Sequence, residues 1–189
     1  MVIHPNHAQH QEAHHPAQHL GQEVWNVLRA TLPHLRRAGS GHILNFSSIA
    51  GQRASAGLGG YSASKFALEG LSEALAAEVA PLGIRVTLVE PGGFRTDWAG
   101  RSMAWAAHDI PDYAATSGRL RQGLQEFHGR QAGDPARAAQ ALLQLVEMPE
   151  PPLRLPLGAD ALQGIRAKLR NVENDIARHE SLTLSTSFQ

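Results

Sequence analysis

The sequence predicts an α/β fold: a partial, doubly wound parallel sheet with flanking helices. Three observations predict it. Short apolar runs at His42–Phe46, Ile84–Glu90 and Leu153–Leu157 alternate with stretches whose apolar residues recur at helical spacing. Strands that alternate with helices are joined by right-handed crossovers and so lie parallel. Only three strand runs are visible, few for a sheet that needs helices on both faces, so the fold is read as partial.

The segment Met1–Gln22 comes first and is unlike the rest. It holds His4, His7, His10, His14, His15 and His19, set among Gln, Pro and Ala with no period. Such a stretch buries too little apolar surface to offset its ordering entropy and is expected to be largely disordered. From Glu23 a helix is expected, with Val24, Val27, Leu28, Thr31, Leu32 and Leu35 on one face and Gly39-Ser40-Gly41 at its end. The strand His42–Phe46 follows, then a loop rich in Ser, Ala and Gly from Ser47 to Gly60. Leu68, Leu71, Leu75, Val79 and Leu82 form the stripe of a second helix, which Gly83 stops. The strand Ile84–Glu90 ends at Pro91-Gly92-Gly93. The stretch from Phe94 to Gln131 reads as a long connection with Trp98, Met103, Trp105, Pro111 and Tyr113, and a connection that long is usually functional, such as a lid. Asp134-Pro135 is a helix start, with Asp as cap, and Ala139, Leu142, Leu143 and Val146 are its expected apolar face. After the strand Leu153–Leu157, Asp160 is expected to cap a last helix with Leu162, Ile165, Leu169, Val172 and Ile176 on its stripe. The organisation is therefore a histidine-rich start over 1–22, one domain over 23–178 and a tail over 179–189.

Composition removes several function classes. The chain has 189 residues, 42% of them hydrophobic, which suits one domain with a buried core. Lys+Arg and Asp+Glu stand at 17 each, so no basic field points to nucleic acid. The absence of cysteine excludes a disulfide framework, a thiolate nucleophile and a Cys-ligated metal. No apolar run approaches the roughly 18–20 residues that span a bilayer, and no secretion signal is visible at the start. The expected location is the cytoplasm. His10/His14 and His15/His19 have the i, i+4 spacing of helical metal ligands, but no carboxylate or cysteine completes a set, so adventitious binding is the expectation and no metal site is assigned.

The candidate chemistry lies in three places. In Tyr61-Ser-Ala-Ser-Lys65 the spacing of four sets the phenol and the ammonium on one helix face. A nearby ammonium lowers a phenol's pKa from its ordinary value near 10, and a Tyr tuned in this way serves as acid or base toward an alcohol or carbonyl oxygen. The alternative is a solvated helix pair. Ser48 ends the first strand, where open α/β sheets gather ligand groups, and its hydroxyl is placed to bond a reacting oxygen. The alternative is a loop serine capping local backbone. Pro91, Gly92 and Thr96 follow the second strand, where Pro and Gly force a turn and let backbone approach a ligand, Thr96 being free to bond a cofactor amide or phosphate. The alternative is an ordinary turn.

Together, Asn45-Phe-Ser-Ser48, Tyr61-Ser-Ala-Ser-Lys65 and Glu90-Pro-Gly-Gly-Phe-Arg-Thr96 resemble, in order and spacing, the motifs of the C-terminal portion of the short-chain dehydrogenase/reductase family. The resemblance runs from about Val24 to the last helix. It implies a Rossmann-like fold, NAD or NADP as cofactor, and a small-molecule alcohol or carbonyl substrate. It implies that Ser48 orients the carbonyl, that Tyr61 exchanges the proton, and that Lys65 lowers the Tyr61 pKa and binds the nicotinamide ribose. Tyr61, Lys65, Pro91, Gly92 and Thr96 would then be the cofactor-binding residues. The loop with Trp98 and Trp105 would cover the substrate. The helices over 24–37 and 62–82 would form a homo-oligomer interface, and a non-catalytic dimerisation module is the competing reading.

The chain departs from that family pattern in its first part. It has no glycine-rich turn between a strand and a helix to receive a pyrophosphate, because Gly57, Gly59 and Gly60 belong to the loop before Tyr61. The residue that selects NAD or NADP is absent, and the family's catalytic Asn position falls on Leu20. The expectation is a truncated or mis-started form with the N-terminal half of the nucleotide-binding fold missing and cofactor binding impaired. The strand His42–Phe46 would then be a sheet edge, which invites aggregation.

Overall fold

The computed structural model describes residues 16–100, 103 and 105–188, with side chains from Glu23 onward. Five helices and three strands run in the order α1 (Pro16–Ala38), β1 (Gly41–Phe46), α2 (Gly59–Val79), β2 (Ile84–Pro91), α3 (Arg119–Phe127), α4 (Pro135–Glu147), β3 (Arg154–Leu157) and α5 (Ala159–Leu184). The strands form one parallel sheet in the order β1-β2-β3. Gly41 faces Ile84 and Phe46 faces Val89 across the first pair, and Leu88 faces Arg154 across the second. β1 is therefore an edge among the described residues, as the sequence suggests.

The core forms where α1 and α2 meet the sheet. Leu28 of α1, Leu75 and Val79 of α2, and Ile84 and Val86 of β2 make one buried cluster, with Val24, Leu32, Leu35, Ile43 and Leu71 packed around it. Alternation along β2 turns Ile84, Val86, Leu88 and Glu90 to one face. The opposite face carries Thr87, whose hydroxyl donates to the Pro152 carbonyl at 2.7 Å and sits 2.9 Å from His42 Nε2. A tight turn anchors the start of β2. Gly83 caps the turn Ala80–Leu82 with φ at +73°, and a Cβ there would meet the Gly39 carbonyl oxygen at 2.4 Å. Only glycine satisfies both demands.

Several expected elements shift. The disorder expected over Met1–Gln22 falls largely outside the described residues, but from Pro16 the chain is helical, so α1 starts before Glu23. Val27 and Thr31 are exposed, because the buried stripe of α1 runs through Val24, Leu28, Leu32 and Leu35. Leu82 is exposed too, because α2 gives way to the tighter turn before reaching it. The stretch from Phe94 to Gln131 holds α3 and a wider turn at Ala114–Gly118 rather than loop alone.

Asp134 caps α4 as expected, accepting from the Ala136 amide at 2.8 Å. The face of α4 is rotated from the expected one: Leu145 is fully buried while Ala139, Leu143 and Val146 are exposed. Asp160 does not cap α5. The cap is Gly158, and Asp160 lies in the first turn. Of the expected α5 stripe only Ile165 is buried, alongside Ala161 and Gly164, because the helix leaves the body of the protein beyond its first turns.

Candidate active site

Three parallel strands end on the same edge of the sheet, so the turns that follow them converge. Ser47-Ser48 after β1, Pro91-Gly92-Gly93 around the end of β2, and Leu157 with Asp160 at the β3–α5 junction all line one cavity of about 720 Å³. Tyr61, in the first turn of α2, lines it as well, and so does Thr96. Of the residues singled out in the sequence, Ser48, Tyr61, Pro91, Gly92 and Thr96 thus come together.

Ser48 caps a short turn, Ile49–Gly51, its Oγ accepting from the Ala50 amide at 3.1 Å. The local-cap role and the cavity-lining position therefore coexist. Burial pushes the Tyr61 phenol above its ordinary value, and hydrogen bonding with Ser48 pulls it part of the way back. The direction is opposite to the one expected. Burial of the phenol outweighs the nearby ammonium: Lys65 Nζ donates to the Phe46 carbonyl at 2.8 Å and lies 5.9 Å from the centre of the Tyr61 ring. Lys65 is not among the residues that line the cavity but supports the β1 end behind it. Its own pKa is lowered by burial, with Glu69 acting against the shift. A phenol held above its usual range is protonated at neutral pH and is a weaker acid than an exposed tyrosine.

The turn after β2 is fixed by α5. Gly93 donates its amide proton to Asp160 Oδ2 at 2.6 Å, and Gly92 donates to the Leu157 carbonyl at 2.9 Å. A Cβ on Gly92 would meet the Asp160 carboxylate at 2.3 Å, so the close approach of α5 requires glycine there. Phe94 bridges to Gly133, and Arg95 Nε donates to the Gln131 carbonyl at 2.6 Å, tying the turn to the start of α4. Thr96 caps the turn Asp97–Ala99, its hydroxyl accepting from the Trp98 amide at 3.4 Å.

The long segment contributes one aromatic wall. Trp98 lines the cavity with its ring 5.5 Å from that of Tyr61. Trp105, expected beside it, instead packs under the Arg121 guanidinium at 5.3 Å, and neither it nor Met103 is among the lining residues. Arg121 in turn bonds Asp109 at 2.7 Å, which draws that part of the segment toward α3.

The structure adds residues that the sequence analysis missed. Gln52, Glu69, Glu90 and Arg154 form a polar cluster behind the cavity, and Asp160 and Arg53 line it. The one signal for the cluster was Glu90 itself, an acidic residue directly after the apolar run Leu88-Val89. Among the described residues, no group of three or more His, Cys, Asp or Glu side chains is placed to hold a metal ion, and no helix is long and apolar enough to cross a membrane. His10, His14 and His15 lie outside the described residues.

Residues 22–107 match the family model of the short chain dehydrogenases. The chain is 40% identical over 158 residues to Oxidoreductase BOA17 of Botryotinia fuckeliana, an alignment covering 82% of this chain and 57% of that protein. It is 43% identical to a short-chain dehydrogenase from Streptomyces avermitilis, with a TM-score of 0.77 over 85% of this chain and 58% of that one. It also shares its fold with a short chain dehydrogenase from Burkholderia cenocepacia solved in complex with NADP, at 24% identity and a TM-score of 0.57, over 88% of this chain and 61% of that one. The chain thus spans less than two thirds of the length of each. Over the part that matches, this chain belongs to the short-chain dehydrogenase/reductase family.

Proposed function

We propose that this chain carries the chemical half of an NAD(P)-dependent oxidoreductase that interconverts an alcohol and a carbonyl. The observation that carries the reading is the convergence of Ser48, Tyr61 and the Pro91–Gly93 turn on one cavity beyond the strand ends. Tyr61 exchanges the proton with the reacting oxygen, and it carries that proton at neutral pH. Ser48 holds that oxygen next to the phenol. Lys65 fixes the end of β1 through the Phe46 carbonyl and, by family resemblance, reaches the nicotinamide ribose. Trp98 walls the cavity on the substrate side and keeps water from the phenol.

A nicotinamide, when bound, supplies or accepts the hydride. The residues present fit that end of the cofactor. The turn Pro91–Gly93 is clamped by Asp160, Thr96 lines the same cavity, and Gln131 presents a buried side-chain oxygen without a partner. The one glycine-rich stretch at a helix N-terminus after a described strand, Gly57 to Gly60 at the start of α2, leads directly into Tyr61 at the chemical end of the cavity, so the described residues offer the pyrophosphate no cradle of its own. Binding is therefore weak in this chain by itself, and the preference between NAD and NADP is not encoded in these residues. The reading is tested by following oxidation of NADH and NADPH with a panel of small aldehydes and ketones. Turnover that disappears in Tyr61→Phe supports it. Turnover that persists in that variant overturns the role of the phenol.

A second reading is favoured by the exposed apolar side chains Trp25 and Val27 on α1 and Phe66 on α2. In that reading the two helices serve a homo-oligomer interface and the chain is an interaction module. Size-exclusion chromatography separates the two: a monomer at every concentration removes the second.

A further inference from the structure

The carboxyl groups of Glu69 and Glu90 meet inside the protein, on the face of the sheet that α2 covers. They are 5% and 1% exposed. Gln52 Nε2 donates to both, at 3.0 Å to Glu69 Oε2 and 2.9 Å to Glu90 Oε1. Arg154 Nε lies 3.0 Å from the same Glu69 oxygen and 3.7 Å from the same Glu90 oxygen, while its other arm is taken by Glu73. The remaining oxygens, Glu69 Oε1 and Glu90 Oε2, are buried without a hydrogen-bond partner.

The charges around this point do not balance if every group is ionised. Glu69 and Glu73 on α2 and Glu90 on β2 face Arg154 on β3 and Lys65 on α2, and Gln52 is neutral. Three carboxylates stand against two cations, and the Lys65 ammonium is already held by the Phe46 carbonyl. One proton on the buried pair restores neutrality and gives an otherwise orphaned oxygen a donor.

We propose that Glu90 holds a proton beside the Glu69 carboxyl and that this proton, acting through Gln52, positions the Ser48 turn against α2 and the end of β2. Gln52 ends the turn Ile49–Gly51 that Ser48 begins. Glu69 lies on the helix that carries Tyr61 and Lys65, and Glu90 directly precedes Pro91 and Gly92. The Gln52 amide therefore joins the three segments that build the cavity. The packing is close enough that a Cβ on Gly51 would stand 2.5 Å from Ser47 Oγ and 2.9 Å from Glu69 Cγ. Burial, with Glu69 beside it, pushes the Glu90 carboxyl up to about 7, so the proton leaves near neutrality. Its loss sets two buried anions against each other, a repulsion that outweighs the stronger bond ionised Glu90 accepts from Gln52, and loosens the turn. The consequence for catalysis rests on the role given to Ser48 above, whereas the positioning itself does not.

The test is amide hydrogen exchange over Gly51–Arg53, corrected for the intrinsic pH dependence, with the Leu75 and Val79 amides in α2 as the folded reference. Between about pH 6 and about pH 8 the wild-type turn loses up to roughly tenfold in protection, the most that one titrating proton supplies. Glu90→Gln, which copies the protonated form, stays protected at both pH values. Glu90→Ala exchanges fast at both. A wild-type turn without pH dependence, or a Glu90→Gln variant that follows the wild-type profile, overturns the proposal. Neither measurement involves cofactor or turnover, so a failure of the oxidoreductase reading leaves the result standing.

Discussion

The rings of Tyr61 and Trp98 stand 5.5 Å apart at an angle of 52°, in the tilted arrangement that aromatic pairs favour. The contact joins the first turn of α2 to the segment that follows β2, so it closes the cavity across the sheet edge. Tyr61→Phe keeps the ring and this contact and removes only the hydroxyl. Its thermal unfolding is expected to stay within about 0.5 kcal/mol of wild type. Its turnover in the aldehyde and ketone assay is expected to fall by about 10²–10⁴. Comparing the two readouts in one preparation separates a chemical role from a packing role.

The stability of the chain is expected to fall as pH rises. Glu90 has an ordinary value of 4.5 in the unfolded chain and about 7 in the fold. Between those values the native state keeps a proton that the unfolded state has released, so raising the pH favours unfolding. One proton gives a slope of up to about 1.4 kcal/mol per pH unit across that window, flattening above it. Denaturant unfolding of wild type and Glu90→Gln at several pH values checks this. The variant is expected to lose the slope.

Two glycine substitutions should act in opposite directions. Gly70 lies inside α2, is exposed, and a Cβ there meets nothing within 4 Å. Gly70→Ala is expected to stabilise by about 0.5–1 kcal/mol through helix propensity and a less flexible unfolded chain. Gly83→Ala combines a left-handed backbone with a contact to the Gly39 carbonyl oxygen and is expected to cost at least about 1 kcal/mol. Chemical denaturation curves measured side by side give both signs.

The β1 edge carries Ile43 and Leu44 with no strand beside it among the described residues. Such an edge pairs readily with other chains. Light scattering on gentle heating is expected to rise before the unfolding transition completes. A sharp, high-temperature, monomeric transition would contradict that expectation.

Much of the fold was legible because its signals are local. The β-branched run of β2, the Asp134-Pro135 start of α4 and the glycine stop at Gly83 each declare themselves within a few residues. The faces of α4 and α5 were not legible. Leu143 and Leu145 look alike in sequence, and only tertiary packing decides which is buried. The site divided along the same line. Ser48, Tyr61 and Thr96 stand at recognisable positions after strands, and parallel topology brings those positions together. The duties of Asp160 and Glu69 depend on partners far away in sequence, Gly93 for one and Glu90 and Arg154 for the other, which no local spacing reveals. The direction of the Tyr61 shift was misread for a related reason. The spacing puts Lys65 near the ring, but burial of the phenol, which no spacing reveals, outweighs it.

The central claim is that this cavity takes the nicotinamide end of a dinucleotide, and the most direct test is titration of Trp98 emission with NADH and NADPH. Trp25→Phe and Trp105→Phe are introduced first to isolate the signal. Saturable quenching with a Kd on the order of 1 mM, about 4 kcal/mol of binding, is expected, with further weakening in Lys65→Ala. Emission that shows no saturable change with either nucleotide would contradict it.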